Sequence, residues 1–152
     1  MSVFMFAYGS NMDSERMSER GIIPIKRMYG EMRNWKLVFN KKSQKLPGVV
    51  FANIIPEKRS IVEGVLYEIN IEDLEKLDKF EGHPEHYTRY NEAVYLQDDH
   101  HQDIYINCWV YIANFQWIGE GRISVEYLNH ILKCNDIVSE TYYNKLLEYK
   151  NG

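Results

Sequence analysis

A chain of 152 residues, 45% hydrophobic and 26% charged with a net charge of −4, has the length and composition of one globular domain spanning residues 1–152, and no apolar run approaches the roughly 20 residues that cross a bilayer. Its basic residues are scattered apart from short groups such as Lys41-Lys42 and Lys58-Arg59, which argues against a nucleic-acid partner. Met1-Ser2-Val3-Phe4 lacks the basic start of a secretory signal, which points to the cytoplasm.

In chain order, the apolar run Val3 to Phe6 predicts a strand that ends in Gly9-Ser10-Asn11, with a helical stretch from Met12 to Arg20 directly behind it. A strand that breaks at glycine and restarts as a helix leaves several backbone N–H groups converging on one space. Together with the positive end of the helix dipole, they favour a carboxylate or phosphate. The plainer reading is that Ser10 or Asn11 caps the helix. Gly21 ends that helix, and Trp35, Leu37 and Phe39 then alternate as one face of a strand, with residues 27 to 32 as its partner or lead-in. Lys41 to Lys45, closed by Pro47-Gly48, reads as a surface loop. Val49 to Ile55 and Ile61 to Ile69 read as a hairpin around residues 56 to 60. The period then changes: residues 71 to 81 predict a helix between Asn70 as N-cap and Gly82 as stop. Thr88 to Leu96 and Ile104 to Ala113 predict two more strands, the second with Ile104, Ile106, Cys108, Val110 and Ile112 on its core face. Ser124 and Ser139 cap two closing helices, and Cys108 and Cys134, far apart, read as buried thiols. Six or seven strands with short connections and few helices predict an α+β fold: a small, mostly antiparallel, β-barrel-like sheet with flanking helices.

The helix at 71 to 81 carries the sharpest chemical signal. At about 100° per residue from Ile71, Leu74 falls near ~300°, Leu77 near ~240° and Glu81 near ~280°, so a carboxylate points the same way as the leucines. Burial and the negative end of the helix dipole both favour its protonated form, which moves its pKa toward the range useful for proton transfer. The alternative is a last turn that protrudes, leaving Glu81 solvated or paired with Arg89 or a histidine. His83-Pro84-Glu85-His86 reads either as a polar loop or as a pair of metal ligands without a third, and no nucleophile elbow, P-loop or dinucleotide-binding glycine pattern occurs.

On these two features the chain resembles the γ-glutamylcyclotransferase-like family. The resemblance rests on Tyr8-Gly9-Ser10-Asn11-Met12, on Leu77-Asp78-Lys79-Phe80-Glu81-Gly82 followed by Tyr87, and on Gly64-Val65-Leu66-Tyr67 between them. Met12 stands where a leucine is common, and the loop from Gly82 to Tyr87 is compact. The resemblance implies a small-molecule γ-glutamyl substrate held by Tyr8, Gly9, Ser10, Asn11, Met12 and Tyr87, with Glu81 as acid/base catalyst and no metal or organic cofactor. It also implies release of 5-oxoproline from γ-glutamyl amines or dipeptides, by a monomer or homodimer. A tyrosine near the C-terminus lines the pocket of related enzymes; Tyr142 is the nearest match, with Tyr143 the alternative. The competing reading is a non-catalytic small-molecule binding module on the same fold.

Overall fold

Strand pairing is dominated by one long ribbon. A computed structural model describes residues 1–151. In it β2 (Lys26–Lys42) lies antiparallel to β3 (Val50–Asn70) over nearly its whole length. β1 (Ser2–Ala7) pairs with the second half of β3, and β4 (Tyr87–Gln97) pairs with β5 (Asp103–Ala113). The order β1-β3-β2-β4-β5 closes into a barrel-like ring through two narrow contacts, Glu31 with Tyr95 and a parallel bridge from Met5 to Trp109. Four helices flank it: α1 (Ser14–Glu19), α2 (Ile71–Glu81), α3 (Val125–Ile131) and α4 (Glu140–Glu148). Among the described residues no helix is long and apolar enough to cross a membrane.

The α+β class and barrel-like sheet match expectation, but there are five strands because two expected breaks are bulges. The expected hairpin at 49–55 and 61–69 is a single bent strand whose two halves both pair with β2, Ile55 opposite Lys36 and Val62 opposite Met32. Where the register shifts, Asn34 (φ 68°) and Arg59 (φ 69°) adopt left-handed backbone, and the Arg59 N–H donates to Asn34 Oδ1 at 3.1 Å. Residues 56 to 60 therefore look like a reversal in sequence yet only kink the strand. Residues 27 to 32 and 35 to 39 are likewise one strand, which runs on to Lys42; Lys41 lies in β2 and not in a surface loop.

The starts of α1, α3 and α4 follow side-chain capping, whereas Asn70 precedes α2 as expected but its side chain makes no cap hydrogen bond. Ser124 and Ser139 accept from the N–H groups of Tyr127 (3.1 Å) and Tyr142 (3.2 Å). The first helix departs from expectation: residues Ser10–Met12 tighten into a 3-10 turn, and Asp13 is the cap, accepting from the Glu15 N–H at 3.0 Å. Asp13 also meets His130 Nδ1 at 2.8 Å, tying α3 to this corner. Relieved of capping, the Asn11 side chain is available to the cavity described below.

The ring interior is filled from all five strands, with Phe6, Met32, Leu66, Val94 and Val110 each at most 1% exposed. Cys108 and Cys134 are buried free thiols, as expected, whereas Ile104, where β5 runs past the core, is 38% exposed. Gly30 and Gly64 face each other across the ribbon beneath the Phe6 ring. A Cβ on Gly64 would overlap the Ala7 carbonyl oxygen and approach Phe6 Cζ to 2.8 Å, so backbone and a fully buried ring would both have to move. Gly64→Ala is therefore expected to destabilise the fold by about 1–3 kcal/mol, the usual range for overpacking. Urea unfolding of the variant checks this, and an unchanged midpoint would show that β1 can shift freely over β3.

Candidate functional site

A cavity of about 630 Å³ opens where β1 runs into the loop at Tyr8–Asn11 and α2 ends at Glu81. It brings together Tyr8, Gly9, Ser10, Asn11, Glu81 and Tyr87 from the expected set. Leu74 and Leu77 are buried on α2, and Glu81, one turn beyond, is half-buried on their side of the helix. It is not paired with Arg89. That guanidinium binds Asp78 at 2.9 Å, on the side of α2 where Tyr111 also donates to Asp78 at 2.7 Å.

Glu81 instead accepts a hydrogen bond from Asn11. Asn11 is 7% exposed; its Nδ2 donates to Glu81 Oε1 at 2.6 Å, and its Oδ1 accepts from Arg20 Nη1 at 2.6 Å. Because a guanidinium can only donate, the amide must turn its oxygen to Arg20 and its nitrogen to the carboxylate. The Arg20 guanidinium is in turn stacked 4.7 Å over the Phe80 ring. Burial raises the pKa of Glu81 above the usual carboxylate range, opposed first by the Arg20 charge, then by the Asn11 hydrogen bond, Arg16 and Lys41. The end of α2 adds to the upward push, since carbonyl dipoles point their negative ends at this residue.

Tyrosines frame the walls. Tyr8 donates to the Tyr111 carbonyl at 2.5 Å and Tyr87 to the Ala52 carbonyl at 2.7 Å, while the Ala52 N–H donates to Tyr127 Oη at 3.0 Å. Beneath the loop Tyr67 donates to the Asn11 carbonyl at 2.7 Å. Burial holds all of these phenols well above their usual pKa, so they stay neutral hydrogen-bonding groups.

Two expected residues are elsewhere. The Met12 side chain is fully buried in the core, because the 3-10 turn rotates it inward. Tyr142 packs against the core from α4 and does not line the cavity; the C-terminal tyrosine that does is Tyr127, in the first turn of α3. Tyr143 does not line it either. Further lining residues escape sequence reasoning, among them Arg16, Arg20, Lys41 and His86. A cation every fourth residue, as at Arg16 and Arg20, was a legible signal for one helix face. His83 and His86 part company: the former accepts from the Arg89 N–H at 3.3 Å, and the latter stacks on Trp117. Among the described residues no three His, Cys, Asp or Glu side chains cluster as a metal site.

The ring and its charged cavity define a small α+β protein built around a small-molecule pocket. Residues 5–129 match the family described as "Gamma-glutamyl cyclotransferase, AIG2-like", and the chain belongs to that family. A protein of Methanocaldococcus jannaschii named "Putative gamma-glutamylcyclotransferase" is 31% identical over 85 residues, covering 53% of this chain and 67% of the relative. A solved "Gamma-glutamyl cyclotransferase" superposes with a TM-score of 0.79 at 24% identity, over 96% of this chain and 86% of the other. A yeast enzyme described as a γ-glutamyl cyclotransferase specific to glutathione superposes with a TM-score of 0.70 at 16% identity, over 99% and 96%. These two likenesses speak for the fold; the family supports a γ-glutamylcyclotransferase-like enzyme.

The electrostatics of Glu81 can be tested without substrate. Arg20 stabilises the ionised carboxylate, so its removal favours the protonated form. In an NMR titration of ¹³C-labelled glutamate, Arg20→Gln is expected to move the Glu81 midpoint further above the usual carboxylate range. A midpoint that stays or falls would contradict this balance of charges.

Proposed function

We propose that the protein, acting as a single domain, closes the γ-glutamyl group of a small molecule on itself, forming 5-oxoproline and releasing an amine. The reading is carried by the 2.6 Å hydrogen bond between Asn11 and Glu81, which joins the two motif segments, 70 residues apart in sequence, across one cavity. The substrate's α-ammonium gives a proton to the Glu81 carboxylate. Its nitrogen then attacks the γ-carbonyl carbon, a five-membered lactam forms, and the bond from that carbon to the leaving nitrogen breaks. The proton held by Glu81 passes to the leaving nitrogen, and the second proton, shed by the ring nitrogen as it becomes a lactam N–H, follows through the same carboxylate; the amine departs as an ammonium, the carboxylate is restored and no net proton is consumed.

Nucleophile and electrophile belong to one molecule, so the protein's task is conformational. Holding them in contact is worth effective molarities of ~10⁵ M or more in favourable cases. Gly9, Ser10 and Asn11 supply backbone N–H groups that have no protein hydrogen-bond partner among the described residues, suited to the α-carboxylate or the developing oxyanion. Arg16 lines the same cavity with a buried Nε that also has no partner among the described residues. A Glu81 pKa raised by burial brings the carboxyl closer to working pH, where a group both accepts and returns a proton efficiently.

Glu81→Gln keeps the shape of the side chain and removes the proton acceptor. Release of 5-oxoproline is expected to fall by roughly 10²- to 10⁴-fold or more, while calorimetry still detects substrate binding. Parental turnover in this variant would overturn the role of Glu81. Ligand-induced stabilisation of the unmodified protein without 5-oxoproline from any γ-glutamyl compound would establish the binding-module reading instead.

A further inference from the structure

Lys41 is 4% exposed, and among the described residues no carboxylate lies within ion-pairing distance of it. Its Nζ lies 2.8 Å from His86 Nδ1 and 4.7 Å over the Trp117 ring, with the Tyr87 and Phe51 rings at 5.6 and 5.9 Å. An ammonium carries three donors, and an imidazole nitrogen occupies one. Burial and the neighbouring Lys41 charge hold His86 below its usual pKa, the state in which Nδ1 accepts. Burial pulls Lys41 down to about 8, with Glu81 pulling it back up, so the ammonium remains the main form at neutral pH. A buried cation held by a neutral ring and aromatic faces is incompletely compensated.

Its placement depends on a second bulge in β2. Phe39 is opposite Ala52 but Lys41 is opposite Phe51, so Asn40 is an extra residue; its Oδ1 accepts from Asn53 Nδ2 at 3.0 Å. In a regular strand Phe39 and Lys41 would share a face. The bulge reverses that parity: Phe39 packs on Tyr149 with ring centroids 4.7 Å apart, whereas Lys41 lines the cavity. Arg16 and Arg20 enter from α1, on the wall of Asn11 and Phe80; Lys41 enters from the wall of Phe51 and His86. The cavity is lined by Arg16, Arg20, Lys41, Lys45 and Lys79 against one carboxylate, Glu81. A γ-glutamyl head, with one carboxylate and one ammonium, leaves that excess of cations unmatched.

We propose that Lys41 is a specificity-determining residue that receives a carboxylate on the departing amine, so that the preferred substrates are γ-glutamyl amino acids and not γ-glutamyl derivatives of uncharged or cationic amines. The assignment rests on the cyclisation proposed above and adds the chemical class of the leaving group. The α1 wall serves the γ-glutamyl head; the Lys41 wall serves the part that departs.

The test compares γ-glutamyl-alanine with γ-glutamyl-alaninamide, which have the same shape and differ by one charge. For the unmodified protein kcat/KM for the acid is expected to exceed that for the amide by roughly tenfold or more, the range of a charge-assisted hydrogen bond. Lys41→Met should bring the ratio near one, and Lys41→Arg should restore it. Damage to the fold alone would lower both substrates together and leave the ratio intact. Equal turnover of acid and amide by the unmodified protein, or an unchanged preference in Lys41→Met, would overturn the assignment. Absence of 5-oxoproline from both compounds would overturn the cyclisation reading itself, and the Lys41 assignment with it.

Discussion

A carboxylate held at the C-terminal end of a helix and half removed from water is unfavourable on two counts, and the architecture of this cavity is organised around tolerating it. Glu81 takes that position because α2 places it one turn beyond Leu74 and Leu77, whose burial fixes the helix rotation. Release from the constraint would need either a different rotation, exposing leucines, or a compensating group delivered from elsewhere. The fold uses the second route. Asn11, buried itself and locked by Arg20, spends one amide proton on the carboxylate, and the positive charges of Arg20, Arg16 and Lys41 offset part of the burial.

The compensation is deliberately incomplete in electrostatic terms. A direct ion pair between Glu81 and Arg20 would hold the carboxylate ionised and poorly basic. Interposing an amide keeps the guanidinium's field while replacing a charged donor with a neutral one, so the pKa stays above the usual range. That amide is available because the chain tightens into a 3-10 turn at Ser10–Met12 and transfers the capping of α1 to Asp13. Local backbone geometry thus connects to proton affinity: had Asn11 capped the helix, its side chain would be engaged with backbone N–H groups. The same turn drives Met12 into the core, so one short segment presents Asn11 to the cavity and anchors itself with the next residue.

What sequence patterns reveal here is decided by the range of the interaction. Glu81 is legible because helical period is local and eleven residues display it; the Ser124 and Ser139 caps and the buried Cys108 and Val110 are legible for the same reason. The strand count is not. Residues 56 to 60 hold Pro, charges and Ser, the composition of a reversal, yet β2 on the other side of the ribbon supplies partners to both flanking halves and turns them into one strand. Tyr142 and Tyr127 both follow a serine cap by three residues, so the local signals are equivalent. Only the docking of α3 against the Tyr8–Asn11 corner, through contacts such as Asp13 with His130, decides that Tyr127 meets the cavity.

Lys41 illustrates the same limit in its most consequential form. Two adjacent lysines followed by Ser-Gln-Lys carry every compositional sign of a solvated loop, and a regular strand would have put Lys41 on the same face as Phe39. One extra residue, Asn40, held by Asn53 on the facing strand, reverses the direction of everything that follows it. The chemistry of the cavity therefore has two separable origins. The half that holds Glu81 and Asn11 comes from β1, its loop and α2, whose positions are set by the ring closure. The cationic half at Lys41 comes from a bulge that could be gained or lost by a single insertion without disturbing that closure, because β2 still has β3 along its length to pair with. On the cyclisation and leaving-group assignments proposed above, a fold divided in this way can keep one reaction while changing what leaves, since the placement of Lys41 is set by strand parity and not by the elements that hold Glu81.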